Sequence, residues 1–175
     1  MHVKEITVNY NYLTTRGDIL SIKANQLREL ITEVLTEMGL YSDSARELLM
    51  LTAAQESQCG NYIEQIRGPA KGIFQMEPAT EKDIWINFLA FKQDLAAEVG
   101  KFDITPALDD LDLEANLAYQ IAIARIHYLR DSNPIPPAEN IEHLAAYYKR
   151  VWNTYKGKAT VQEAIDNYHR YALEG

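Results

Sequence analysis

A mainly α-helical single domain is what this chain of 175 residues predicts. Three observations carry that expectation. Apolar residues recur at three- and four-residue spacings in successive segments, Gly and Pro fall chiefly between those segments, and a period-2 strand pattern occurs only near the N-terminus. With 47% hydrophobic and 24% charged residues the chain has the composition of a globular core, so disorder is not the expected state. No repeat, low-complexity tract or linker divides it.

The elements follow in order. Ile6, Val8, Tyr10 and Tyr12 alternate with Thr7, Asn9 and Asn11, and Gly17 offers a turn toward a second short strand at 19–22. This N-terminal piece is read either as a short β-hairpin or as a disordered arm. From Ala24 the period changes: Leu27, Leu30, Ile31, Val34, Leu35 and Met38 mark one helical face, and Gly39 stops it. Residues 1–40 are therefore a strand or arm plus a first helix packed on the same domain, of which residues 41–175 form the remainder. Ser44 and Glu47 have the spacing of a capping box for a second helix ending at Glu56. A loop over 58–71 contains Gly60, Gly68 and Pro69; Pro78 suits the first turn of a helix running to Phe91. A short helix over 92–99 ends at Gly100. Leu117, Ile121, Ala124 and Tyr128 predict a central helix over 113–129, broken by Asn133-Pro134-Ile135-Pro136-Pro137. A helix over 139–152 follows, and Thr160 with Glu163 caps the last one.

Charge and composition exclude several functions. A net charge of -8 with pI near 5 lacks the clustered Lys and Arg that nucleic acid requires, so the eleven Tyr residues are assigned to packing or sugar contacts instead of base stacking. Cys59 is the single cysteine, which rules out an intrachain disulfide and a thiolate metal cluster. His2, His127, His143 and His169 show neither triad nor metal-ligand spacing. The acidic run Asp109, Asp110 and Asp112 lacks the spacing and glycine of an EF-hand and reads as a solvated helix start. No metal or cofactor is expected. No apolar run is long enough to span a bilayer, and MHVKEITVNYNYLTTRGD lacks the basic start and apolar core of a secretory signal. The expectation is synthesis in the cytoplasm without a leader.

The stretch from Ala53 to Thr80 carries the chemistry. Glu56 sits at the C-terminal end of a helix, where the macrodipole disfavours its charge, and Ala53, Ile73, Phe74 and Met76 would desolvate it if the loop folds back. Both effects raise its pKa, as a general acid at neutral pH requires; the alternative is a solvated glutamate in a fraying turn. Gln75, between Phe74 and Met76, has an amide either for substrate or for its own loop. Ser57 could donate to the carboxylate or to a sugar. Glu64 and Glu77 are candidate second acids, with Glu77 read as a cap for the helix at Pro78 and Glu64 left open. Tyr147 and Tyr148 point in different directions from one helix, so one faces core or cleft. Lys149, Arg150, Lys156 and Lys158 form the one locally basic stretch, either a solvated face or an attractor for the carboxylates of a peptide-bearing glycan.

Glu56-Ser57, then Gly72-Ile73-Phe74-Gln75-Met76 with Pro78 and Thr80, then Ala146-Tyr147, resemble the blocks of the lytic transglycosylases and goose-type lysozymes over about residues 45 to 155. The third block departs from that pattern at Tyr148-Lys149-Arg150. The resemblance implies a lysozyme-like helical domain, with Glu56 as catalytic acid and Ser57, Gln75, Met76 and Tyr147 as substrate-binding residues; in it Ser57 and Gln75 contact substrate or orient the acid, and Tyr147 lies close to the acid. It implies cleavage of the MurNAc-β-1,4-GlcNAc bond of peptidoglycan strands to 1,6-anhydro ends. Gln75-Met76-Glu77-Pro78 with Trp152-Asn153-Thr154 looks like a phage-encoded branch, which would reach the wall by holin-type release or in association with a phage particle. The rival readings are a hydrolytic muramidase using Glu64 or another acid, and a catalytically inert glycan-binding or structural virion protein.

Overall fold

The computed structural model describes residues 22–103, 111–154 and 157–173. The N-terminal hairpin or arm expected upstream of Ile22 lies outside them, as do Asp109, Asp110 and Lys156. Among the described residues the protein is mainly helical, with no named strand. The helices are α1 (Ala24–Glu37), α2 (Asp43–Ser57), α3 (Pro78–Asn87), α4 (Gln93–Gly100), α5 (Leu111–Ala115), α6 (Leu117–Leu129), α7 (Ile141–Tyr148) and α8 (Val161–Asn167). A 3-10 turn, Leu89–Phe91, separates α3 from α4, and wider π-type segments, Lys149–Asn153 and Tyr168–Leu173, extend α7 and α8. None of the described helices is long and apolar enough to cross a membrane.

Two helices are buried nearly all round. In α2 every residue from Glu47 to Ala54 is buried, and in α6 every residue from Tyr119 to Ala124. Such helices owe their stability to packing against neighbours on all sides more than to an amphipathic stripe. Around α2 stand α1, α6, α7, α8 and the C-terminal π segment. Leu27, Ile31, Val34 and Leu35 of α1 point into this core, as the periodicity of that segment predicts.

Several boundaries differ from expectation, each for a local reason. Ser42, in place of Ser44, caps α2, accepting from the Ala45 amide at 3.0 Å. Glu47 is thereby released from capping and turns inward. It takes hydrogen bonds from Arg28 (3.2 Å), Arg46 (2.7 Å) and the Tyr168 hydroxyl (2.7 Å), tying α1, α2 and the C-terminal segment together. Burial pushes its carboxyl up, but the bonds from Arg28, Tyr168 and Arg46 outweigh it and hold the pKa below the usual 4.5. The single helix expected over 113–129 is broken at Asn116, whose side chain caps α6 through the Tyr119 amide at 3.1 Å. The helix expected over 139–152 starts only after Asn140, the cap of α7, and loosens to π winding after Tyr148. Thr160 and Glu163 form their capping box as predicted.

Candidate functional site

The site is assembled by the way α2 ends. Gln58 and Cys59 both adopt left-handed backbone, with φ of 56° each, and their amides return to Ala54 O and Ala53 O. That closure terminates the helix one residue after Glu56. The chain then runs out and back: Gln65 N bonds Ala70 O (2.9 Å), Gly72 N bonds Ile63 O (2.7 Å), and Lys71 and Met76 exchange backbone bonds at 2.9 and 3.0 Å. The turn at 72–75 needs Gly72 at φ +72°, where an added Cβ would stand 2.1 Å from Leu113 O. Ile73 N is held by Gln120 Oε1 at 2.8 Å, so α6 fixes the turn from below.

Folding back, this loop buries Ile73, Phe74 and Met76 against the end of α2. It leaves a cleft of about 740 Å³ lined in part by Gln55, Glu56, Tyr62, Gln75, Tyr148 and Trp152. Gln65, Ile66, Met76, Glu77, Thr80, His127, Asn153 and Lys158 also border it. A smaller lobe of about 490 Å³ adjoins it across Gln55, Lys158 and Ala159.

Glu56 lines this cleft at the end of α2. Burial pushes its carboxyl up from 4.5 to about 7, against the opposing effect of a hydrogen bond from the Tyr148 hydroxyl to Oε1 at 2.5 Å. Desolvation wins because one donor offsets only part of the lost hydration. The same burial, followed by the Glu56 charge, drives the Tyr148 phenol well above its ordinary value, so it stays a donor. Glu56 thus lies desolvated in the last turn of α2.

The wall behind the acid is aromatic. The Trp152 ring meets His127 edge-on at 4.7 Å, Tyr128 at 5.3 Å and Phe74 at 6.3 Å. The Tyr128 and Thr52 hydroxyls lie 2.7 Å apart, pinning α6 to α2 directly beneath Glu56. Burial depresses the His127 imidazole to about 4, so it is a neutral wall residue at pH 7.

The other expected residues divide. Gln75 and Met76 line the cleft, although the Gln75 side-chain amide donates to Gly72 O at 2.8 Å and so also secures its own turn. Ser57 is not a lining residue: it is fully buried, donating to Ile73 O at 2.6 Å and accepting from Gly60 N at 2.9 Å. It joins the end of α2 to the 72–76 turn, a positioning role in place of the expected substrate contact. Tyr147 is directed away from the acid, its hydroxyl donating to Asn133 O at 3.3 Å and its ring covered by Arg150 at 4.9 Å. Tyr148 takes the place beside Glu56 that was expected of Tyr147. The signal for this was present, since Leu144 and Tyr148 stand four residues apart on one buried helical face.

Glu64 is exposed, paired through its backbone with Lys71, and does not border the cleft. Glu77 does. It occupies the N-cap position of α3 but makes no side-chain cap bond, contrary to its expected capping role. In the basic stretch, Lys149 binds Asn153 Oδ1 and Gly157 O, and Arg150 pairs with Asp131 at 2.5 Å, while Lys158 reaches the cleft. Among the described residues no cluster of His, Cys, Asp and Glu could hold a metal ion. Compared with known proteins, the chain matches no protein-family model, no curated protein and no solved structure.

Proposed function

We propose that this is a lysozyme-like domain acting as a peptidoglycan lytic transglycosylase, with Glu56 as its single acid and base. The observation that carries the reading is a carboxyl at the wall of an open cleft lined partly by amides, where desolvation by burial raises its pKa to about 7. A group so poised is protonated in part at neutral pH and can give up and recover its proton within one turnover. In the proposed sequence the Glu56 proton passes to the glycosidic oxygen as the C1–O bond of MurNAc breaks. The substrate's own 2-acetamido oxygen supports the positive charge at C1, which removes the need for a protein nucleophile. The Glu56 carboxylate then takes the proton of the MurNAc 6-hydroxyl, whose oxygen bonds C1 and closes the 1,6-anhydro ring. A placed acid contributes about 10²–10⁴-fold to such a step.

Glu77 favours a second reading, hydrolysis, because it brings another carboxylate without a cap bond to the same cleft. There it would activate water in place of the 6-hydroxyl. Mass spectrometry of sugars released from purified cell walls separates the two, since an anhydro end is lighter than a hydrolysed one by one water. The transglycosylase reading expects anhydro ends from the wild type and no release by Glu56→Gln. Undiminished release by Glu56→Gln would overturn both, and wall binding without release would leave only a glycan-binding protein. Delivery to the wall by holin-type release or in a phage particle belongs to the same proposal.

A further inference from the structure

The cleft has one wall that the proposed acid chemistry does not use. Tyr62, Ile63 and Ile66 are all exposed within five residues of the 58–71 loop, Ile66 at 90%. Single exposed apolar residues are ordinary, but adjacent ones on the rim of a pocket are a feature of ligand sites. Tyr62 and Ile66 both border the cleft that holds Glu56. The backbone on either side of Tyr62 is tied down: Asn61 N bonds Ser57 O at 2.9 Å, and Ile63 O accepts from Gly72 N at 2.7 Å. The backbone that carries the ring is therefore held, and the ring stays exposed outside the core. The Tyr62 phenol is shifted upward, first by partial burial and next by the Glu56 charge.

The rest of the lining identifies the occupant. The oxygens of Gln55, Gln65 and Asn153 accept from Asn167, Ala70 N and Lys149, which leaves their NH2 groups as donors; Gln75 gives an N–H to Gly72 O and offers its oxygen, and Thr80 adds a hydroxyl. An apolar face among these hydrogen-bonding groups, with Glu77 and Lys158 also on the border, matches a pyranose, which has an apolar ring face and an equatorial belt of hydroxyls and amides. We infer that Tyr62, flanked by Ile66, is the stacking platform for a sugar ring of the strand bound beside Glu56. This rests on the proposed glycan-cleaving function and names a substrate-contacting residue for it.

The test is binding of purified, peptide-free glycan strands to the full chain carrying Glu56→Gln, which prevents turnover. Adding Tyr62→Ala should weaken binding on the order of tenfold, the loss expected for one stacked aromatic, whereas Tyr62→Phe should keep the affinity. In the otherwise wild-type enzyme Tyr62→Ala should raise KM with kcat changed less, and the exposed position should leave the melting temperature unchanged. Equal binding with and without Tyr62→Ala would overturn the platform while leaving the Glu56 reading intact. Equal losses in Tyr62→Ala and Tyr62→Phe would overturn stacking in favour of a hydroxyl contact. Absence of strand binding by the Glu56→Gln parent would sink the glycan reading and this inference together.

Discussion

Replacing Tyr148 with Phe isolates one of the two opposing influences on Glu56. Burial raises the carboxyl to about 7 even though the Tyr148 hydroxyl pulls it down through a 2.5 Å bond to Oε1. Removing that hydroxyl withdraws a donor from the charged form and leaves desolvation unopposed, so the sign of the change is upward. A hydrogen bond to a charged group is worth about 1.5–3 kcal/mol, and one pH unit corresponds to about 1.36 kcal/mol. The upper limit is therefore about two units. Because the carboxyl borders an open cleft, water replaces part of the lost bond, and the expected rise is about one unit. The first step needs protonated Glu56, so the alkaline limb of kcat/KM on purified walls should move upward by that amount. A carbon-13 titration of the Glu56 carboxyl gives the same quantity without turnover. Tyr148 is wholly buried and Phe nearly isosteric, so the variant should stay folded. An alkaline limb that stays in place or moves down would refute the reasoning that Tyr148 tunes the acid.

Two predictions concern the scaffold that places the acid. Gly72→Ala would put a Cβ 2.1 Å from Leu113 O and 2.4 Å from Gln120 Oε1 at a φ of +72°, and should cost about 2–4 kcal/mol in urea unfolding. A loss under about 0.5 kcal/mol would show that the 72–76 turn relaxes freely. Glu47→Ala should cost about 1–3 kcal/mol at neutral pH, because it removes the shared acceptor of Arg28, Arg46 and Tyr168, although Arg46 keeps Asp43 and Arg28 keeps Ala172 O. Glu47 has a depressed folded pKa, so its contribution is present above the ordinary 4.5 and is lost as pH falls through the folded value. The gap between wild type and variant should therefore narrow in acid, and a gap constant from neutral pH to well below 4.5 would contradict the assigned network.

Much of the helical layout was legible in the chain because it depends on local periodicity and stop signals. The face of α1, Pro78 opening α3, the Asn133–Pro137 break and the Thr160–Glu163 box all rest on neighbours within one or two turns. Errors arose where two local options were close. Ser42 and Ser44 both qualify as caps of α2; Ser42 takes the role, and Glu47 bonds Arg28 and Tyr168 instead, residues 19 and 121 positions away. Ser57 shows the same limit. A hydroxyl beside a candidate acid suggests a substrate contact, yet its partner is the carbonyl of Ile73, sixteen residues on.

From the sequence alone came a helical chain with one acid at a helix end beside an apolar turn, since both depend on residues adjacent along the chain. Which tyrosine touches that acid, which second carboxylate shares its cleft, and how far its pKa rises were decided only by the packing of α2 against α6, α7 and the returning loop. Desolvation and a single short hydrogen bond depend on distances between segments up to 92 residues apart, and such distances exist only once the chain has folded.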